Sequence, residues 1–355
     1  MICLQRWPTA RILSALISFL VSSAALSFEP PVDTPAAVST LGPASPMVGI
    51  AGAGDHLVAV GLRGVILYSP DDGRNWQQSR SPVSVDLVAV TFPTPELGWA
   101  VGHQGVILHS VDGGRSWKRQ LSGKQIKDLF LASTPAPQAA STEGDADQAW
   151  LAESLPTLPL MDVWFQDART GYAIGAFNLL LRTDDGGEHW AYASAQIDNP
   201  DKLHLYSIRG DAHDLYIAGE RGLVLRLDPA DGRFKALPSP YRGTFFGIAL
   251  NKTGVLTIFG MRGNAYRSRD RGQTWEAERT KVQAGLVGGS NLEDGRAILV
   301  SQTGQVLIES PDTAQFQNLE GVLPLPYASL VITGNQIVLA GMAGLRLHAL
   351  PAGVR

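Results

Sequence analysis

An eight-residue pattern ending in tryptophan recurs along the chain and constrains its fold more than any other feature. Four copies are well kept: SPDDGRNW (69–76), SVDGGRSW (110–117), TDDGGEHW (183–190) and SRDRGQTW (268–275). Two degenerate copies occur at LDPADGRF (227–234) and SPDTAQF (310–316). A unit repeated this often is typical of a repeat architecture rather than of one catalytic site.

A second motif precedes each copy and occurs once more near the end of the chain. It joins two apolar runs through a hairpin of the form G-x-x-G, as in AVGHQGVILHS (100–110). Successive anchor residues are 40 to 44 residues apart, except for one step of 73. Four short strands in such a period are the signature of a propeller blade, so the sequence predicts an all-β, seven-bladed β-propeller. The anchors are Gly64, Gly105, Asn178, Gly222, Gly263, Gly304 and Gly344.

Each turn type has its own predicted chemistry. The hairpin between strands two and three is expected to be a type I turn closed by a left-handed glycine, or by asparagine in the third unit. In the octapeptide turn between strands three and four, the aspartate accepts backbone N–H groups, the glycine supplies positive φ, and the tryptophan packs on its own blade. These structural positions are Asp71, Gly73, Trp76, Asp112, Gly114, Trp117, Asp185, Gly187, Trp190, Asp270, Gly272 and Trp275.

The last unit has three strand-like segments and lacks a convincing fourth. An open propeller would expose unpaired sheet edges at its first and last blades. A spare segment, residues 38–46, precedes the first unit. We therefore predict that this N-terminal segment supplies the missing strand of the last blade.

Residues 1–27 have the pattern of a secretory signal peptide. Arg6 and Arg11 precede an apolar run from Ile12 to Val21, and small residues follow before Phe28. The pattern predicts an exported protein that is not an integral membrane protein after cleavage, in the periplasm or, if the source is photosynthetic, in the thylakoid lumen. Residues 28–355 are then expected to form a single propeller domain, acting as a monomer.

Charge and cysteine content narrow the class of protein. The only cysteine is Cys3, so no disulfide is expected in the exported part. Loss of the two leader arginines lowers the formal net charge from −4 to −6. An acidic chain with scattered basic residues is a poor electrostatic match for nucleic acid.

The predicted binding residues lie on the face that carries the hairpin tips, opposite the octapeptide turns. Three arginines on one face of an acidic protein predict recognition of carboxylates or of an acidic segment of a partner. Exposed turn residues that serve only solubility are the alternative. The candidate tip residues are Arg63, His103, Gln104, Phe177, Arg221 and Arg262.

The long step between anchors contains an insertion, residues 122–159, which is expected to rise from the same face. Long loops in compact folds are usually functional or disordered. Its apolar residues predict a mobile lid or docking element, and the alternative is that they pack the insertion onto the propeller. The residues concerned are Ile126, Leu129, Phe130, Trp150 and Leu151, of which Phe130 and Trp150 are partner-binding candidates.

The stretch VDLVAVTFPTPELGWAVGHQGVILHSVDGGRSW (85–117) and its counterpart at 160–190 resemble the photosystem II stability/assembly factor family of exported seven-bladed propellers. The octapeptide corresponds to the Asp-box, or bacterial neuraminidase repeat. The resemblance implies a protein without enzymatic activity or cofactor that binds a protein partner through an arginine-rich patch. In photosynthetic relatives that partner is a newly made reaction-centre subunit. In a non-photosynthetic bacterium, the resemblance implies an assembly or accessory factor for a membrane or envelope complex.

A glycoside hydrolase is the alternative, because Asp-box propellers also include sialidases. A sialidase would need an arginine cluster, which Arg63, Arg221 and Arg262 could supply, with Tyr241 or Tyr327 as nucleophile. No local motif supports that choice.

A two-carboxylate glycosidase could instead use Asp86 and Asp162, which hold matching positions in blades two and three. A residue repeated in register is better explained by the repeat, for example by bonding to the backbone of a neighbouring blade. No metal site is predicted, since the seven histidines show no ligand-like spacing, and no phosphate-binding loop is present.

Overall fold

Seven antiparallel sheets follow one another along the chain, which confirms the predicted seven-bladed propeller. The computed structural model describes residues 29–134, 143–310 and 315–351, so the predicted leader lies outside the described residues. Six sheets have four strands and the seventh has three.

The strand bounds are as follows. Blade one contains β1 (Met47–Ala53), β2 (His56–Gly61), β3 (Ile66–Ser69) and β4 (Gln77–Gln78), and blade two contains β5 (Leu87–Thr91), β6 (Gly98–Gly102), β7 (Ile107–Ser110) and β8 (Lys118–Leu121). Blade three contains β9 (Leu160–Phe165), β10 (Gly171–Gly175), β11 (Leu180–Thr183) and β12 (Ala191–Tyr192), and blade four contains β13 (Leu205–Gly210), β14 (Leu215–Gly219), β15 (Val224–Asp228) and β16 (Arg233–Ala236). Blade five contains β17 (Phe245–Leu250), β18 (Leu256–Gly260), β19 (Ala265–Ser268) and β20 (Glu276–Glu278). Blade six contains β21 (Leu286–Asn291), β22 (Ala297–Ser301), β23 (Val306–Glu309) and β24 (Phe316–Asn318), and blade seven contains β25 (Tyr327–Thr333), β26 (Gln336–Gly341) and β27 (Gly344–Ala349).

The second strand of each blade explains why the motif reads as a continuous apolar run instead of alternating. Strands such as β6 and β10 are buried at every residue, because a neighbouring blade covers each face of the sheet. The core is divided among clusters that lie mainly between adjacent blades. One of them joins blade seven to blade one through Met47, Leu57, Val338 and Leu345 and so closes the ring.

The ring closes without the predicted fourth strand of blade seven. Among the described residues that sheet contains only β25, β26 and β27. The N-terminal segment instead forms a strap (residues 29–46) that is bonded to Gln78 and Ser81 at the rim of blade one and includes a short 3-10 helix, Gly42–Ala44. Pro43 and Pro46 have no N–H to donate to a sheet, which explains why the strap does not pair as a strand.

Blade seven also differs in strand register. In blade one, Val60 pairs with Ile66, six residues further on, whereas in blade seven Ala340 pairs with Leu345, five residues further on. A one-residue slip turns every side chain to the opposite face of the sheet. Leu345 therefore lies in the cluster with blade one, and Arg346 is exposed.

The insertion forms two helices on the propeller, α1 (Gly123–Ser133) and α2 (Glu143–Ser154). Its residues 135–142 lie outside the described residues. Ile126 and Leu155 are fully buried in the cluster between blades two and three, which fixes both helices to the rim of these blades. Neither helix, nor any other in the ranges described, has the length and apolar content needed to cross a membrane.

Candidate partner-binding face

The hairpin tips adopt a tighter turn than the sequence predicts. In blades one to five, the residue before the anchor also has positive φ, which is the φ pattern of a type I′ turn rather than of a type I turn closed by glycine. Type I′ turns match the twist of the flanking strands and are preferred in hairpins for that reason. The residues concerned are Arg63 (55°), Gln104 (56°), Phe177 (53°), Arg221 (54°) and Arg262 (58°).

These five residues are all candidates that the sequence had suggested for partner binding. For a residue with a Cβ, the left-handed conformation costs roughly 1–2 kcal/mol, and asparagine or glycine would be favoured at this position. Backbone strain that persists on a surface tends to mark functional positions. Three of these five residues are arginines with exposed side chains.

The arginines at the tips are accessible and weakly paired. Arg63, Arg221 and Arg262 are exposed. Within the described ranges, Arg63 and Arg262 have no acidic partner within 4 Å, and Arg221 lies 3.6 Å from Asp201. The guanidinium groups are therefore available to carboxylates of another molecule.

A chain of aromatic rings crosses the same face. Trp150 of α2 contacts Phe177, with ring centroids 4.9 Å apart, and Phe177 contacts His204 at 4.5 Å. The chain continues from His204 to Tyr206 at 6.4 Å and from Tyr206 to Phe246 at 5.5 Å. It thus links the insertion to the start of the inner strands of blades four and five.

Sequence reasoning missed His204, Tyr206 and Phe246. The available signal was an aromatic residue near the start of an inner strand in both HLYSI (204–208) and TFFGI (244–248). Tyr206 and Phe246 line the central channel, which has a volume of about 330 Å³. The rings therefore form a continuous apolar path from the exposed helix to the axis of the propeller.

Side chains of the following blade hold two of the tips in place. The backbone N–H of Arg63 donates to Oδ1 of Asp86 at 2.8 Å. The N–H of Phe177 donates to Nδ1 of His204 at 2.9 Å. Asp86 therefore bonds to the backbone of a neighbouring blade.

The predicted match between the positions of Asp86 and Asp162 is wrong. Leu87 pairs with Gly102 and Leu160 with Gly175, so Asp86 comes one residue before the first of these equivalent leucines and Asp162 two residues after the second. Asp162 is almost completely buried. Its Oδ1 accepts the N–H of Val163 at 2.9 Å, and its Oδ2 accepts the N–H of Ile208, also at 2.9 Å. Nη1 of Arg209 lies 2.5 Å from that second oxygen. Both carboxylate oxygens accept hydrogen bonds from the protein itself, which leaves this group poorly suited to proton transfer with a substrate.

Tyr241 and Tyr327, the candidate nucleophiles of a sialidase, both contact other residues of the protein. Oη of Tyr327 donates to the carbonyl of Leu323 at 2.8 Å, and burial raises the pKa of Tyr327. Tyr241 stacks on Tyr266 with centroids 6.1 Å apart. Neither arrangement pairs a tyrosine with the glutamate that activates a sialidase nucleophile.

The two aromatic candidates of the insertion, Phe130 and Trp150, differ in solvent exposure. Phe130 is only 6% exposed and packs against Tyr192, so its predicted role in contacting a partner is corrected to that of an anchor for α1. Trp150 remains 49% exposed. Its helix is held by an ion pair between Asp147 and Lys202, with Nζ and Oδ2 2.8 Å apart.

The octapeptide turns lie on the opposite face and satisfy their own polar groups. In blade two, Oδ1 of Asp112 accepts the N–H of Ser116 at 2.9 Å, and Oδ2 accepts its hydroxyl at 2.6 Å. Burial opposes ionisation of Asp112, but these hydrogen bonds outweigh it and hold its pKa below the usual range. The N–H of Gly114 donates to Oγ of Ser110 at 2.9 Å, and Nε1 of Trp117 donates to the carbonyl of Gly114 at 3.0 Å.

The other three well-kept copies repeat this geometry around their aspartates. The hydrogen bond from the backbone N–H of His189 lowers the pKa of Asp185 to about 2, and that from the hydroxyl of Thr274 does the same for Asp270. The side-chain amide of Asn75 lowers the pKa of Asp71. A carboxylate held ionised in this way is a weak base and serves the turn. Gly73, Gly187 and Gly272 adopt positive φ in these turns, and Trp76, Trp190 and Trp275 follow them.

The chain is similar to known proteins in sequence and in fold. The family model of the photosynthesis system II assembly factor YCF48 matches residues 51–131 and 142–320. The chain is 29% identical over 181 residues to the photosystem II assembly lipoprotein Ycf48 of Synechococcus sp. (strain CC9902), a match that covers 48% of this chain and 51% of the relative. It is 22% identical over 257 residues to the photosystem II assembly protein Ycf48 of Thermosynechococcus vestitus (strain NIES-2133 / IAM M-273 / BP-1), covering 58% of this chain and 73% of the relative.

The chain spans about half the length of most of the curated relatives it matches. A solved structure described as YCF48 bound to D1 peptide superposes with a TM-score of 0.63 at 15% identity, covering 87% of this chain and 94% of that one. This likeness supports the propeller fold, and the family model extends over most of the chain. The chain belongs to the photosynthesis system II assembly factor YCF48 family.

Proposed function

We propose that this chain is a non-catalytic, exported assembly factor that binds a segment of a protein partner on the hairpin face. The observation that carries the proposal is the set of three exposed arginines held at strained tips of one face, Arg63, Arg221 and Arg262. A guanidinium in a fixed position recognises carboxylates with defined geometry. The apolar path that begins at Trp150 supplies a surface for uncharged side chains of the same segment.

One feature of the chain and the names of its relatives support the absence of catalysis. Asp86 and Asp162, the carboxylates available to a glycosidase, are bonded to the backbone of neighbouring blades. The relatives are named as assembly proteins rather than enzymes. The name lipoprotein in several of them, together with the leader pattern at residues 1–27, supports export to a periplasm or lumen.

The D1 peptide named with the solved YCF48 structure is the natural probe for this proposal. We expect the full chain to bind a fluorescent D1 peptide, and simultaneous change of Arg63, Arg221 and Arg262 to glutamate to weaken binding more than tenfold, since losing a charge-assisted contact costs about 1.5–3 kcal/mol. Fluorescence polarisation measures the affinity, and circular dichroism checks that the variant is folded.

The matched control reverses three exposed arginines on the octapeptide face, Arg74, Arg169 and Arg233. It produces the same change in net charge, so a general electrostatic effect would weaken both variants equally. Equal loss in the two variants, or undiminished binding after the tip reversal, contradicts the proposed site. Turnover of a glycoside that is lost in Asp162→Asn would contradict the non-catalytic assignment.

A further inference from the structure

Within the described ranges, the third strand of blade seven, β27, is the outer edge of its sheet. In the other six blades a fourth strand of two to four residues pairs with the third. The strap covers only the beginning of β27, where a Cβ on Gly344 would lie 2.2 Å from the carbonyl oxygen of Pro43. An uncovered sheet edge is a template for pairing with another chain.

The register identifies which backbone groups are free. The N–H of Leu350 donates to the carbonyl of Asn335 at 2.8 Å, and β27 pairs with β26 in regular alternation from there. In an antiparallel pair, alternate residues point their N–H and C=O groups toward the partner and away from it. Leu345, Leu347 and Ala349 therefore point theirs outward, and among the described residues nothing is bonded to those of Leu347 or Ala349.

The side chains along this edge are unlike those of the other blades. Two residues after the anchor, the other six blades have a buried aliphatic residue, whereas blade seven has the exposed Arg346. Nη1 of Arg346 donates to the carbonyl of Leu345 at 2.9 Å, and no carboxylate of the described chain lies within 4 Å of it. Two apolar side chains of the strap, Val38 and Leu41, are 83% and 71% exposed.

We propose that the edge of β27 binds an extended, acidic segment of a partner protein by β-strand addition. Main-chain hydrogen bonds to Leu347 and Ala349 would fix the segment, and a carboxylate in it would pair with Arg346 across the strands. This surface is on the rim of blade seven, away from the arginine tips, so it goes beyond the function proposed above.

Charge favours such a segment over a second copy of the chain. If two β27 strands paired antiparallel about Leu347, Arg346 of each copy would lie opposite His348 of the other. Neither position offers a carboxylate, so the contact gains no ion pair. A cationic side chain on an edge strand is a known device against self-pairing.

The test uses the full chain and three blocked hexapeptides: alternating valine and glutamate, alternating valine and lysine, and the glutamate peptide with an N-methyl group on every amide. We expect the glutamate peptide to bind about fivefold more tightly than the lysine peptide, because one favourable cross-strand charge pair contributes at most about 1 kcal/mol. N-methylation should abolish binding, since it removes main-chain donors. Hydrogen exchange should slow at Leu347 and Ala349 when the glutamate peptide is bound.

Two variants complete the test. Arg346→Glu should reverse the preference between the two peptides, whereas Arg233→Glu on blade four, the matched control, should leave it unchanged. Binding that ignores N-methylation or survives Arg346→Glu unaltered would overturn the proposal. A wild-type dimer in light scattering, with Leu347 and Ala349 protected from hydrogen exchange in the absence of peptide, would assign the edge to a second copy and overturn the proposal as well. The tip reversal that tests the proposed function should leave the protection of Leu347 and Ala349 by the glutamate peptide unchanged, so the two proposals fail separately.

Discussion

The two faces of the propeller use left-handed turns in opposite ways. On the octapeptide face, the strained turns hold aspartates whose oxygens are filled by the turn itself, as in Asp112. On the hairpin face, strained residues such as Arg262 have side chains that find no acidic partner among the described residues. The octapeptide aspartates form hydrogen bonds within their own turns and stabilise the fold. Arg63 and Arg262 are held in a strained conformation without an acidic partner in the described ranges, and so they are available for binding.

The largest expected effect on the free energy of unfolding comes from the glycine of a hairpin tip, which serves the fold, and not from the arginine beside it. Gly263 has φ of 71°, and a Cβ there would lie 1.8 Å from the carbonyl oxygen of Val282. Gly263→Ala should destabilise the protein by about 3 kcal/mol or more, because backbone has to move in addition to the left-handed strain. Denaturant unfolding followed by tryptophan fluorescence measures the change.

Gly232→Ala is its matched control. Gly232 also has positive φ, 69°, but no atom lies within 4 Å of a Cβ at this position. It should therefore show only the conformational cost of about 1–2 kcal/mol. Equal destabilisation in the two variants would mean that the tip glycines are needed for φ alone and that the packing of the tip against the next loop contributes nothing.

A smaller effect of opposite sign is expected at the neighbouring residue. Arg262→Gly removes left-handed strain at an exposed position, which should stabilise the protein by up to about 1 kcal/mol after the extra flexibility of glycine in the unfolded chain is counted. The same change should weaken peptide binding, since it removes one of the three guanidinium groups. Thermal unfolding and polarisation on the same samples would reveal both effects.

Arg233→Gly is the comparison for that prediction, because Arg233 is exposed on β16 and is not among the residues with positive φ. Glycine within a strand should destabilise by a few tenths to about 1 kcal/mol and leave binding alone. If Arg262→Gly is destabilising, or binds as the wild type does, the strain at the tips has no connection with recognition.

The smallest expected effect concerns acid. The folded pKa of Asp270 is about 2, below the ordinary value of 3.8, because the hydroxyl of Thr274 donates to its carboxylate. A depressed folded pKa contributes stability above about pH 4 that is lost as the pH falls toward 2. Asp270→Asn should therefore be less stable at neutral pH but show a flatter loss of melting temperature between pH 4 and 2.

Arg262→Gln serves as the control on the hairpin face, since a guanidinium does not titrate in this range. It should keep the slope of the wild type. If Asp270→Asn leaves the dependence of melting temperature on pH unchanged, protonation of the octapeptide carboxylate is not coupled to folding. The two faces would then not differ in how charge contributes to stability.

Much of the candidate site could be predicted, and the misses have specific causes. Arg221 and Phe177 were found because the repeat places tips at a fixed offset from the anchors. His204 was missed because its role depends on the N–H of Phe177, which belongs to the preceding blade. The outward placement of Phe130 was wrong because an amphipathic helix does not reveal which surface its apolar side will cover; here that surface includes Tyr192.

The sequence by itself determined the number of blades, the location of the turns and the chemistry of the octapeptides, since each depends on residues close together in the chain. Only the tertiary structure decided the slipped register of β27, the path of the strap and the free edge beside it. These features follow from packing between blade seven and blade one, whose residues, such as Leu345 and Met47, lie at opposite ends of the sequence. Sequence patterns within one blade do not show which distant residues will pack together, so the way in which the ring closes could be seen only in the structure.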